Sequence, residues 1–138
     1  MPIVVKVVSE EEYLAWAKEQ QGKLSAAADD PNKEWAVDEL VARGEKVYAA
    51  NCVACHQASG KGLAPAFPAL DGSQIVMGPM AGHIEILLKG KQGTAMQSFA
   101  GLNDVELASV ITYARQSWGN GGTGADPVVQ PAQVRDAR

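Results

Sequence analysis

The sequence predicts a mainly α fold, three main helices in one small domain, with a strand-helix extension at its N-terminal side. Three observations predict it. The chain has 138 residues, the length of one small domain plus extensions. Apolar residues recur at helical spacing in three stretches between residues 36 and 119, with few alternating runs. Glycine and proline gather between those stretches and after residue 119, marking long loops and a tail.

The elements follow in chain order. Residues 2–8, PIVVKVV, are dominated by β-branched valine and isoleucine and read as a strand. Ser9 with Glu12 forms a capping box for a helix from Glu10 to about Gln21, which Gly22 stops. Its apolar residues Tyr13, Leu14, Trp16 and Ala17 need a surface to dock on, because a strand and a helix bury too little alone. Residues 23–35 are polar and turn-rich, and read as a linker. The compact domain spans 36–119. Its first helix runs from about Asp38 to Asn51, with Leu40, Val41, Gly44, Val47 and Tyr48 along one side. Residues 57–75 are loop. A short helix covers about Pro79 to Lys89, with Ile84, Leu87 and Leu88 apolar, and the loop GKQGTAMQSFAG follows. Asn103 caps the last helix with Glu106 three residues later, and Val105, Leu107, Val110, Ile111 and Tyr113 form its stripe. Residues 120–138 have no periodicity and read as a flexible tail.

Charge narrows the function. The net charge of −4 argues against a nucleic-acid partner, which wants a basic stripe. Residues 1–35 hold 4 basic and 7 acidic side chains against 6 and 7 in residues 36–119, so the excess sits on the extension. No apolar run is long enough to cross a membrane, and Met1 leads into the valine run without a basic leader.

Three helices over such long loops make a thin core, the kind that leans on a staple or a large apolar cofactor. The only cysteines, Cys52 and Cys55, stand in NCVACHQ beside His56. A redox dithiol belongs after a strand at the start of a helix, whereas this motif ends a helix. A zinc site from Cys52, Cys55, His56 and His83 would need two adjacent residues on one tetrahedral ion. C-x-x-C-H is the attachment pattern of c-type haem: two thiols form thioethers with its vinyl groups, and the next residue reaches the iron. Cys52 and Cys55 are therefore the expected anchors of one covalent haem c, with His56 as the proximal ligand. Four residues compete for the other axial position: Met77, Met80, His83 and Met96. Met77 lies in a Gly/Pro turn, Met80 reads as packing, and His83 as an exposed helix residue. Met96 sits in the loop between two helices, which can lay a thioether over the haem, and is the expected ligand.

These residues resemble the class I cytochromes c over about residues 36–119: Gly44 and Tyr48, CVACH, Pro68 and Leu70 in FPALDG, Met96, and Tyr113. The resemblance implies three main helices around a covalent haem. It implies a close crossing of the first and last helices at Gly44, and a backbone carbonyl after the motif that accepts a hydrogen bond from His56. Pro68 matches that carbonyl best, with Pro65 as rival, and Leu70 joins the haem contacts.

A finer resemblance covers the extension. MPIVVKVVSEEEYLAWAKEQ looks like the end of the cupredoxin domain in subunit II of a haem–copper cytochrome c oxidase, and GEKVYAANCVACHQ, FPALDGS and ITYARQSWGN look like the cytochrome c domain fused to it in caa-type oxidases. It implies that residues 1–22 close the cupredoxin region, and that Met1 matches a copper-ligand methionine. The remaining ligands of the dinuclear copper are not in this chain. The implied function is electron transfer from a quinol:cytochrome c reductase or a soluble cytochrome c to the dinuclear copper of the same subunit, and on to oxidase subunit I. The implied place is the periplasmic side of the bacterial inner membrane, anchored through upstream helices. A free-standing soluble carrier and a haem sensor or peroxidase-like enzyme are the alternatives. The chain alone is not expected to be catalytic, since six-coordinate iron offers no open position.

Overall fold

The structure, a computed structural model, describes residues 3–138; the side chains of residues 21–28 lie outside the described set. Met1, matched above to a copper ligand, lies outside it too. The chain forms two compact units, Met1–Asp30 and Pro31–Arg138.

In the first unit, α1 runs Glu10–Ala28. The Ser9–Glu12 box forms as read: the Ser9 amide donates to the Glu12 carboxylate at 3.1 Å and the Glu12 amide to Ser9 Oγ at 3.3 Å. Two expectations are corrected. Residues 3–9 form no strand. A valine-rich run becomes one only when a neighbouring strand supplies hydrogen bonds, and here Ile3, Val4, Val5 and Val7 are 83–93% exposed. The helix also passes through Gly22 and takes up much of the expected 23–35 linker. One interior glycine costs about 1 kcal/mol, which the alanine-rich turn after it offsets.

The second unit is helical: α2 Val37–Asn51, α3 Val53–His56, α4 Gln74–Met77, α5 Met80–Lys89, α6 Asp104–Gln116, a 3₁₀ turn Trp118–Asn120, and α7 Pro131–Ala137. Among the described residues, only the isolated bridge Leu63–Phe67 pairs extended backbone. Helix α6 is the centre. Asn103 Oδ1 accepts from the Glu106 amide at 2.8 Å, the Glu106 carboxylate accepts from the Asn103 amide at 2.9 Å, and the helix buries Val105, Leu107, Ala108, Val110, Ile111 and Ala114. Burying each of the larger of these is worth about 1.5–3 kcal/mol. Helix α2 crosses α6 where Gly44 faces it. A Cβ on Gly44 would lie 2.6 Å from Tyr113 Cβ and closer still to the Ser109 carbonyl oxygen, so only glycine permits the crossing.

The expected flexible tail is ordered and belongs to the domain. Val129 and Val134 are fully buried. Asn120, also fully buried, donates to the Leu70 and Ala114 carbonyls at 3.1 and 2.9 Å and accepts from the Gly72 amide at 2.8 Å. The Gln130 side chain pairs with both backbone groups of Trp35 at 2.9 Å. The composition is that of a loop, but these few residues each have a buried or fully bonded place.

Candidate functional site

The cysteine motif is one helical turn. The Cys52 amide still bonds to the Tyr48 carbonyl at 2.8 Å, closing α2, and the His56 amide reaches the Cys52 carbonyl at 2.9 Å, so α3 starts at once. Positions 52, 55 and 56 then share a face, as residues three and four apart do. Both cysteines are half-buried and neither is in a disulfide.

The loop after the motif is held by aromatic donors. The Tyr48 hydroxyl donates to the Gln57 carbonyl at 2.6 Å and Trp118 Nε1 to the Ala58 carbonyl at 3.0 Å. The two rings meet edge-on with centroids 5.4 Å apart, and Tyr113 completes the cluster. Gly60 and Gly62 then turn the chain back with φ of +69° and +62°. A Cβ on Gly62 would lie 2.6 Å from the Pro68 carbonyl oxygen, so glycine lets that carbonyl come close. It ends 2.8 Å from His56 Nδ1. A carbonyl only accepts, so Nδ1 carries the proton and Nε2 keeps its lone pair for a metal. The partner is Pro68; Pro65 lines the cavity below without taking this bond.

Beside the motif lies a cavity of about 430 Å³, within the range of cofactor sites. Cys52, Cys55, His56, Pro68, Leu70 and Met96 all line it. Val76, Leu87, Phe99, Val110 and Ala114 supply much of its apolar wall. Met96 is presented by the 91–102 loop, where its carbonyl accepts from the Lys91 amide at 2.9 Å and its amide donates to Thr94 Oγ1 at 3.2 Å. Met77 and Met80 are not on the cavity wall. Met77 forms part of α4, and Met80 packs on the core.

His83 departs from expectation. It is 7% exposed, not a surface residue, and lines the cavity. Its Nδ1 is buried without a hydrogen-bond partner among the described residues. Burial above all, then the Arg115 and His56 charges, pushes its pKa down to about 3. The spacing held a signal for this: His83 and Leu87 are four apart on the buried side of α5.

The donor set fits a covalently attached haem. One turn offers two thiols and an imidazole with a free Nε2, a thioether comes from a separate loop, and the wall is apolar. Cys52, Cys55 and His56 share a turn, but among the described residues no three His, Cys, Asp or Glu are placed to hold one ion between them, against the zinc reading. Burial, then the neighbouring Cys55, pushes the Cys52 thiol up to about 11, whereas a redox dithiol needs a lowered thiol.

Known proteins are similar to this chain over the stretch that holds the site. Residues 39–113 match the family described as cytochrome c oxidase, cbb3-type, subunit III. The chain belongs to this cytochrome c family. Cytochrome c-552 of Thermus thermophilus is 37% identical over 93 residues, which cover 57% of this chain and 70% of that protein. The form from a second strain of the same organism is also 37% identical, with 62% of its length covered. The cytochrome c subunit of the quinone alcohol dehydrogenase of Gluconobacter oxydans is 30% identical over 92 residues, 59% of this chain and only 19% of that subunit. A cytochrome c domain implies covalently bound haem c and electron transfer. Among the described residues, no helix is long and apolar enough to cross a membrane.

Proposed function

We propose that this cytochrome c domain serves a terminal cytochrome c oxidase as part of its subunit II. It accepts electrons from a quinol:cytochrome c reductase or a soluble cytochrome c and passes them to the dinuclear copper centre of the same subunit, next to oxidase subunit I. The observation that carries the electron-transfer role is the 2.8 Å bond from His56 Nδ1 to the Pro68 carbonyl, on the same turn as both thiols. The resemblance of residues 1–20 to the end of a cupredoxin region supports the oxidase assignment. So does the exposed valine run Ile3–Val7, which suits a strand whose sheet lies in another part of the subunit.

Bound haem supplies one-electron ferric–ferrous chemistry. The chain does the rest. Cys52 and Cys55 would hold the group through thioethers, and His56 Nε2 and Met96 Sδ would supply its iron ligands. The Pro68 carbonyl fixes the His56 tautomer and raises its donor strength. Leu70, Val76, Leu87 and Phe99 keep water from the cavity. Ala66 and Ala95 are exposed as well as cavity-lining, and with Lys91 as an exposed cation beside them they give a mostly uncharged rim for a partner tethered at high effective concentration. The copper would lie in the full-length subunit, membrane-anchored by upstream helices and facing the periplasm.

The second reading, a free-standing soluble carrier, is favoured by the 70% coverage of cytochrome c-552. Stopped-flow mixing separates the two. The haem-loaded, reduced chain is mixed with a soluble dinuclear-copper domain of an oxidase subunit II. Rapid oxidation with little salt dependence supports the oxidase reading. Slow oxidation by the copper domain, with fast exchange to other soluble cytochromes, supports the free carrier.

A further inference from the structure

The 91–102 loop is held firmly at one end by α5. Ser98 Oγ donates to the Leu88 carbonyl at 2.6 Å, and the Phe99 amide donates to the Leu87 carbonyl at 2.7 Å. Past Phe99 the loop turns toward α6, and here the contacts come from the opposite end of the chain. Arg138 Nη1 donates to the Ala100 carbonyl at 2.9 Å, Nη2 to the Leu102 carbonyl at 2.6 Å, and Nε to Asp104 Oδ1 at 2.6 Å. All three guanidinium nitrogens are used, two on the exit of the loop and one on the first turn of α6. The bridge is sheltered on one side only: the Asp104 side chain is 17% exposed and that of Arg138 33%. A charge-assisted fork of this kind outweighs an ordinary exposed ion pair.

The fork has a rigid support. It sits at the end of α7, which starts at buried Pro131, buries Val134, and is tied at Gln130 to Trp35. Arg138 therefore fastens the loop exit to a helix that packs on α6 rather than to solvent.

We propose that Arg138 is a positioning residue for Met96, with α7 acting as a clasp that keeps the distal loop closed. The proposal rests on the reading of Met96 as the second axial donor. With the clasp in place, the loop exit moves away only if the bonds to the Ala100 and Leu102 carbonyls break together, while the bond to Asp104 holds the guanidinium over them. Without it, Ala100–Leu102 keeps only its short-range bonds to Ser98 and Phe99 and the packing of Leu102, so the loop opens more readily and an external ligand competes for the site more easily.

The test uses the full haem-loaded chain in its ferric form, titrated with imidazole and monitored by the weak far-red band of methionine sulfur on iron. R138A is expected to bind imidazole about tenfold more tightly than the parent, the size of one lost charge-assisted bond. Q130A, which loosens the other end of α7, is expected to move the same way by a smaller factor. Unchanged imidazole affinity in R138A overturns the proposal. If R138A fails to mature with haem, R138K decides: a gain of about threefold supports the clasp, and none overturns it. A parent protein with no far-red band would instead sink the Met96 reading itself, before any variant is compared.

Discussion

Tyr48 and Gln57 are joined across 2.6 Å by a hydroxyl-to-carbonyl bond, and Gln57 is held there at φ 64° and ψ 159°. That backbone region is one that glycine alone adopts freely. Gln57 directly follows His56, so the bond fixes the exit of the Cys52–His56 turn in a conformation it would otherwise leave. Y48F should therefore destabilise the domain by about 1–2 kcal/mol, the size of a lost part-buried hydrogen bond. Q57G should stabilise it by a comparable ~1 kcal/mol by relieving the strain. Urea midpoints of the two variants check both signs.

The crossing of α2 and α6 leaves no room at Gly44. G44A places a methyl against the Ser109 carbonyl and Tyr113 Cβ, and backbone cannot step aside as a side chain can. We expect a loss of at least about 3 kcal/mol, with haem attachment reduced in proportion to the folded fraction. A variant with parent-like thermal stability would show that the helices slide apart at little cost.

Met96 and His83 are the two candidate axial donors that line the cavity with His56. M96A is expected to open ferrous iron to carbon monoxide and to lower the reduction potential, because methionine favours the ferrous state. H83L should leave the far-red band in place. A low-spin spectrum that survives M96A but not H83L would assign the ligand to His83.

His83 also sets a pH dependence. Its folded pKa lies below its unfolded value of 6.5, at about 3. Above 6.5 the histidine is neutral in both states and its contribution is complete. As pH falls from 6.5 toward 3, the unfolded chain takes up a proton that the folded domain refuses. Stability should then fall with a slope approaching one proton, about 1.4 kcal/mol per pH unit. H83L should flatten that part of the profile, as denaturant midpoints between pH 7 and pH 4 will show.

The parts of the fold legible in the sequence are those whose signals are local. The Asn103–Glu106 box and the stripe of α6 needed no tertiary information, nor did the one-turn motif Cys52–His56. The Pro68 carbonyl was legible only through family resemblance, since no residue type advertises a backbone acceptor twelve positions from its donor. The valine run was over-read because β propensity describes a strand's fit to a sheet, and no sheet accompanies it. Asn120 and α7 were under-read for the converse reason. Their stability comes from a few buried, fully bonded residues, which composition cannot distinguish from a disordered tail. His83 was misplaced because its type argued for the surface while its spacing to Leu87 argued for the core; the packing of α5 on α6 decided.

Gln130 meets Trp35 across 95 positions of sequence, and every residue lining the haem cavity lies between them. Closing so long a loop makes folding slow compared with forming its helices. During synthesis Gln130 emerges after every residue that lines the cavity. Until then the turn bearing Cys52 and Cys55 belongs to an unfinished chain, and the order of assembly leaves the two thiols reachable early and sheltered late.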